Sequence, residues 1–238
     1  MKHLCTLVLA IFAALLLSTP AKADVAGIMN VSNCAGAGNG MTLTATTIDF
    51  TLPVGLGNGC TETDTGTSIT YTGGGPLVQG VNNGLVKDLT LGGGTVLDFM
   101  TFTGNPSLHF DLTSLGPGVA NTNCAGLVFG QSCSPGAGSP FILTLTPTGT
   151  SLSLSASGVA RDASGHSSTW FGAFSTQIGG VTPLSIQSTL NGGGSIPTTY
   201  SGTFNVTAPQ VPEPTTILLL GTGLAGIAAK VRKRRKAV

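Results

Sequence analysis

A histidine and a carboxylate two positions apart on an extended strand share a face, and His109-Phe-Asp111 has that arrangement. The pair lies opposite Leu108, Phe110 and Leu112, so it would supply half of a catalytic or metal site on a wet surface. Polar residues on the solvent side of an amphipathic strand are more commonly only that, and no catalytic role is assigned to them. Arg161, Asp162 and His166 gather in the Gly and Ser-rich stretch from Ser157 to Ser168, which reads as a hairpin turn carrying an exposed Arg161–Asp162 pair. Glu62 and Asp64, in Cys60-Thr-Glu-Thr-Asp-Thr-Gly66, offer hard oxygen ligands to calcium. Their spacing does not match an EF-hand loop, and a polar turn after a cystine is the simpler account. No serine stands in Gly-x-Ser-x-Gly, the signal of a nucleophile elbow. Neither catalytic residue, metal ligand nor cofactor is assigned, and an enzyme is not expected.

Sugar binding would call for exposed aromatic faces. Trp170 is the single tryptophan and alternates in phase with Phe174 and Ile178, so it reads as a core anchor. Asn30-Val-Ser32 and Asn205-Val-Thr207 fit the glycosylation sequon.

Cys5 falls in an apolar leader, which leaves Cys34, Cys60, Cys124 and Cys133. In an oxidising exported compartment four cysteines suggest two disulfides, with three pairings to choose from. Nearness in sequence favours Cys34 with Cys60 and Cys124 with Cys133. Zinc is disfavoured because no Cys-x-x-Cys occurs and the histidines lie far from the cysteines.

The whole chain is nearly neutral at +1. Between Asp24 and Gln210, however, Lys87 and Arg161 stand against eight carboxylates, a net charge of −6. A domain so poor in cations lacks the basic surface that nucleic acid requires, which removes that class of partner.

The elements that would position these residues are strands. Short alternating runs recur between Gly, Pro and Asn clusters, and long amphipathic helical patterns are absent. Candidates are Met41 to Leu52, with a phase shift that suggests a bulge, Thr67 to Thr72, Leu85 to Leu91, Thr95 to Thr103, Leu108 to Leu112, Phe141 to Thr146, Ser151 to Ala156, Trp170 to Ile178 and Tyr200 to Val206. About ten strands predict an all-β, antiparallel β-sandwich of jelly-roll type, with a closed β-barrel as the alternative.

The two ends read differently. Met1 to Ala23 has a basic start, an apolar stretch from Leu4 to Leu17 and a small-x-small site at Ala21-Lys-Ala23, the pattern of a signal peptide for signal peptidase. At the other end Val211-Pro-Glu-Pro214 precedes fifteen uncharged residues, Thr215 to Ala229, and then Lys230, Arg232, Lys233, Arg234, Arg235 and Lys236. As a helix the uncharged run spans about 22 Å, short of a ~30 Å hydrocarbon core. Lys230 can snorkel and Val231 extends the span, while the basic cluster holds its end on the cytoplasmic side. The expected organisation is therefore signal peptide 1–23, β-rich ectodomain 24–207, stalk and motif 208–214, transmembrane helix 215–231 and basic tail 232–238.

The order of Pro212-Glu-Pro214, apolar span and basic cluster resembles the sorting signal of PEP-CTERM proteins, bacterial surface and matrix proteins. The resemblance covers the last 28 residues only. It implies recognition of Val211, Pro212, Glu213 and Pro214 by an exosortase, a membrane-embedded transpeptidase that cleaves nearby. Two prolines suit such a site because they keep the backbone extended and out of helix or sheet. The expectation is an exported protein, membrane-anchored before processing and at the cell surface or in the extracellular matrix afterwards. Its task is structural or adhesive; binding of exopolysaccharide is the alternative, and an exported hydrolase is the least supported reading.

Overall fold

The computed structural model describes residues 25–36, 40–51, 58–80, 84–165, 167–209, 221–223 and 225–226. Contacts divide the chain into two units, Ala23–Pro209 and a second made of Met1–Lys22 with Gln210–Val238. In the second unit 221–223 and 225–226 are helical. No helix among the described residues is long and apolar enough to cross a membrane. The expected signal peptide, the sorting motif, most of the expected transmembrane segment and the basic cluster lie outside the described residues.

In the first unit the strands are, in chain order, β1 (Ala26–Asn33), β2 (Gly40–Leu43), β3 (Thr47–Thr51), β4 (Gly59–Thr63), β5 (Ser68–Thr70), β6 (Gly84–Val86), β7 (Leu89–Thr90) and β8 (Val96–Phe102). They continue as β9 (Asn105–Leu115), β10 (Ser132–Cys133), β11 (Ile142–Thr146), β12 (Gly149–Arg161), β13 (Ser167–Gly179), β14 (Ile196–Thr198) and β15 (Ser201–Thr207). One helix, α1 (Pro183–Asn191), precedes β14. Eight strands run β12-β13-β15-β1-β4-β6-β8-β9, all antiparallel, and β9 returns to pair with β12. The sheet therefore closes into a barrel, and the jelly-roll-like sandwich gives way to its alternative. Alternation buries one face of each strand in either architecture, so the pattern alone does not decide between them.

Closure depends on the length of β12. Its residues Gly149 to Ser153 pair with β11 and Ala156 to Arg161 pair with β9, and within the second pairing the register shifts between Ser157 and Gly158, where Thr113 of β9 is the extra residue. A bulge of this kind bends and twists the strand, which is what turning a sheet back on itself requires. Strands β2, β3, β7 and β14 form a separate four-stranded sheet. It shares the core: Phe50 of β3 packs edge-on to Phe99 and Tyr200 and tilted against Phe174. From Phe174 the aromatic contacts run through Phe204 and Trp170 to Phe110 and Phe102. An eight-stranded barrel is narrow enough for side chains to fill, and these rings fill it.

Several local expectations change. Met41 to Leu52 is a hairpin rather than one bulged strand, because the Thr44 hydroxyl accepts the Thr46 and Thr47 amides and turns the chain. Strands β1 and β4 go unanticipated, since Gly, Asn, Ser and Cys dilute their alternation. The helix α1 likewise escapes a search for long amphipathic patterns. Thr182 caps it, accepting the Ser185 amide, Pro183 opens it, and Ile186 and Leu190 anchor it to the core.

Candidate functional site

The ionisable side chains that come together do so on the outer wall where the barrel closes. His109 and Asp111 on β9 face away from buried Leu108, Phe110 and Leu112, and Arg161 stands directly across from His109 on β12. Arg161 grips Asp111 with two bonds, Nε to Oδ2 at 2.8 Å and Nη2 to Oδ1 at 2.8 Å. Its Nη2 also reaches Asp98 Oδ1 at 3.1 Å. Asp98 comes from β8, where the register with β9 shifts between Val96 and Met100. Within that irregularity Asp98 has φ of 52°, a left-handed conformation that Asp tolerates better than most residues, and its amide donates to Asp111 Oδ1 at 2.7 Å. Lys87 holds the same segment, its amide bonding the Phe99 carbonyl and its Nζ the Leu97 carbonyl.

The electrostatics follow from this packing. The Asp111 side chain is 8% exposed, whereas Asp98 and Arg161 are about two-fifths exposed at 43% and 42%. Burial works to raise the Asp111 carboxyl, but the Arg161 guanidinium, the Asp98 amide and the charge of His109 outweigh it and leave it below the usual carboxylate range. The same pairing holds the Arg161 guanidinium above its ordinary value. His109 Nδ1 lies 2.9 Å from Asp98 Oδ1 without the alignment of a hydrogen bond. A histidine beside a carboxylate is the geometry of a general base. No hydroxyl or thiol among the described residues hydrogen-bonds His109, and none of them forms a group of three metal-ligating side chains. What the cluster does in the structure is tie β8, β9 and β12 across the closing seam.

Other sequence-marked residues are dispersed. Arg161 does not pair with Asp162, as the turn reading expects; β12 extends through Arg161, and the carboxylate of Asp162 instead accepts the amides of Thr72 and Ser164. The reason is alternation, which turns adjacent residues to opposite faces. His166 lies outside the described residues. Glu62 accepts the Ala35 amide at 2.6 Å and Asp64 accepts the Thr65 amide at 2.6 Å, so both serve as turn ligands. Cys34 is bonded to Cys60, and Cys124 to Cys133. Two shallow depressions, of 170 and 270 Å³, are lined by Gly, Pro, Ser, Thr and aliphatic residues with no titratable side chain.

One surface was not singled out by residue type. Because Trp170 points inward at 2% exposure, Phe171 must point outward, and it is 62% exposed. It stands across from Asn205 on β15, which stands across from Ile28 on β1. The period of two around Trp170 already held this information.

Residues 210–235 match the family model described as the PEP-CTERM protein-sorting motif. No curated protein and no solved structure matches the chain. The motif implies exosortase-dependent export sorting, with membrane anchoring before processing.

Proposed function

We propose that the chain is a non-catalytic surface or extracellular-matrix protein whose barrel performs a structural or adhesive task after exosortase processing at the Val211 to Pro214 motif. The observation that carries this reading is the sorting motif at residues 210–235, joined to a barrel whose ionisable cluster is committed to ion pairs. Two disulfides in one domain suit an oxidising exterior. A signal peptidase would remove residues 1–23, and the exosortase would release or re-attach the barrel at the surface.

The test is intact mass of the protein recovered from its native host, before and after reduction, compared with Glu213→Ala and with truncation after Gln210. Expected are termini near Asp24 and near Pro212 to Pro214 in the parent, and loss of processing in both variants. A parent mass that retains Lys230 to Val238, or variants processed like the parent, would overturn the sorting mechanism.

A further inference from the structure

About half of the Ala23–Pro209 unit lies in two long stretches without charge. From Leu112 to Ala160 there is not one Asp, Glu, Lys, Arg or His, and none occurs from Ser167 to Pro209. The outer wall built from β13, β15 and β1 falls almost wholly within those stretches, and β1 itself, Ala26–Asn33, is also uncharged. Its solvent-facing positions include Thr169 and Phe171 on β13, Thr203, Asn205 and Thr207 on β15, and Ile28 and Asn30 on β1.

We infer that this wall, centred on Phe171, Asn205 and Ile28, is a binding platform for an uncharged polysaccharide. The proposal deepens the adhesive reading above, on which it rests for the location of the protein, by naming what is held. The three residues form one row across adjacent strands, with Phe171 62% and Ile28 43% exposed. Two strand spacings separate the ends of the row by about 10 Å, the scale of a disaccharide. Sugar rings offer apolar CH faces that pack on an aromatic ring and hydroxyls that need donors and acceptors beside it. Asn205 supplies both from a carboxamide that makes no hydrogen bond to the described protein. Asn30 differs, since its amide donates to the Thr65 carbonyl and accepts from the Thr203 hydroxyl.

The charge pattern selects the occupant. A polyanion or polycation would surrender hydration on this wall and gain no counter-charge, so the complementary ligand is neutral. A second copy of the chain is disfavoured by apolar area: a stable interface covers roughly 800 Å² per partner around an apolar centre, and this wall exposes one aromatic ring and one isoleucine among hydroxyls and amides. An open wall, rather than a pocket, fits the middle of a long chain.

Affinity electrophoresis of the processed protein from its native host tests the inference. The gels contain dextran, the uncharged exopolysaccharide fraction of the same culture, or alginate as an acidic control. Retardation is expected in at least one neutral gel and not in alginate. Phe171→Ala is expected to weaken it about fivefold or more, and Asn205→Ala to weaken it too, with melting temperatures unchanged. Phe129→Ala, which removes a slightly more exposed ring in the Cys124 to Cys133 loop, should bind as the parent does. No retardation in either neutral gel, stronger retardation in alginate, or a Phe171→Ala protein that binds normally would overturn the platform. Hexose mass on the Asn205 peptide would overturn it as well, because the wall would then be covered by its own sugar. Processing is read separately by mass, so failure of sorting with binding intact, or the converse, assigns the fault to one reading.

Discussion

Asp111 shows how a single side chain can hold the seam of a barrel. Its carboxylate receives two bonds from Arg161 and one from the Asp98 amide, which compensates its removal from water. The folded protein holds this group below its unfolded value, so the stability it contributes is present above the ordinary carboxylate value near 4 and fades as pH falls through the lower folded value. Arg161→Met leaves burial without its strongest opponent and penalises the charged form of Asp111. The variant should be about 2 kcal/mol less stable than the parent at pH 7, with a gap that narrows toward pH 3. Urea unfolding at the two pH values measures this, and a gap independent of pH would refute the pairing account. The shared face of His109 and Asp111 was readable from a spacing of two. The identity of their cation was not, because Arg161 is 50 residues away in sequence from Asp111 and meets it only through closure.

At the scale of elements, β12 pairs with β11 through Gly149 to Ser153 and with β9 through Ala156 to Arg161, and the register with β9 shifts between Ser157 and Gly158. Gly158 lies beneath the indole of Trp170, whose Nε1 donates to the Asp111 carbonyl at 3.0 Å. A Cβ at this position would sit 1.8 Å from that carbonyl oxygen and 2.7 Å from the indole ring. Backbone and a packed ring cannot both retreat, so Gly158→Ala should cost about 3 kcal/mol. Trp170 is the single tryptophan, and its fluorescence should shift toward a wetter environment in the same variant. A stable variant with unchanged emission would show that β12 and β9 can part without harm. Strong alternation made β9, β12, β13 and β15 legible in the sequence. The strands β1 and β4 were not, since their place is secured by neighbours on both sides and not by their own pattern. The hairpin of β2 and β3 was read as a bulge because both devices shift the apolar phase, and only the hydrogen bonds of Thr44 distinguish them.

For the molecule as a whole, the disulfides act on different spans. Cys34–Cys60 closes 26 residues between the end of β1 and β4, while Cys124–Cys133 closes 9 within a loop that Gln187 and Asn191 of α1 hold through the Pro135 carbonyl. In the chain-entropy account the longer loop contributes about 3.5 kcal/mol and the shorter about 2.6 kcal/mol. Replacing Cys34 and Cys60 by alanine should therefore lower the urea midpoint moderately more than replacing Cys124 and Cys133, with both losses measurable. A loss confined to one pair would place the effect in native contacts rather than in the unfolded chain.

Taken by itself, the sequence determined the all-β class, the inward and outward faces of the long strands, the poverty of charge and the sorting motif at 210–235. These are local properties, set by a period of two, by composition and by a contiguous signal. Only the tertiary structure decided that the sheet closes, that Arg161 serves Asp111 and Asp98 rather than Asp162, and that Phe171, Asn205 and Ile28 share a row. Each depends on which strands become neighbours. Alternation assigns a side chain to a face, but the partner across that face is chosen by register and closure between segments far apart in the chain.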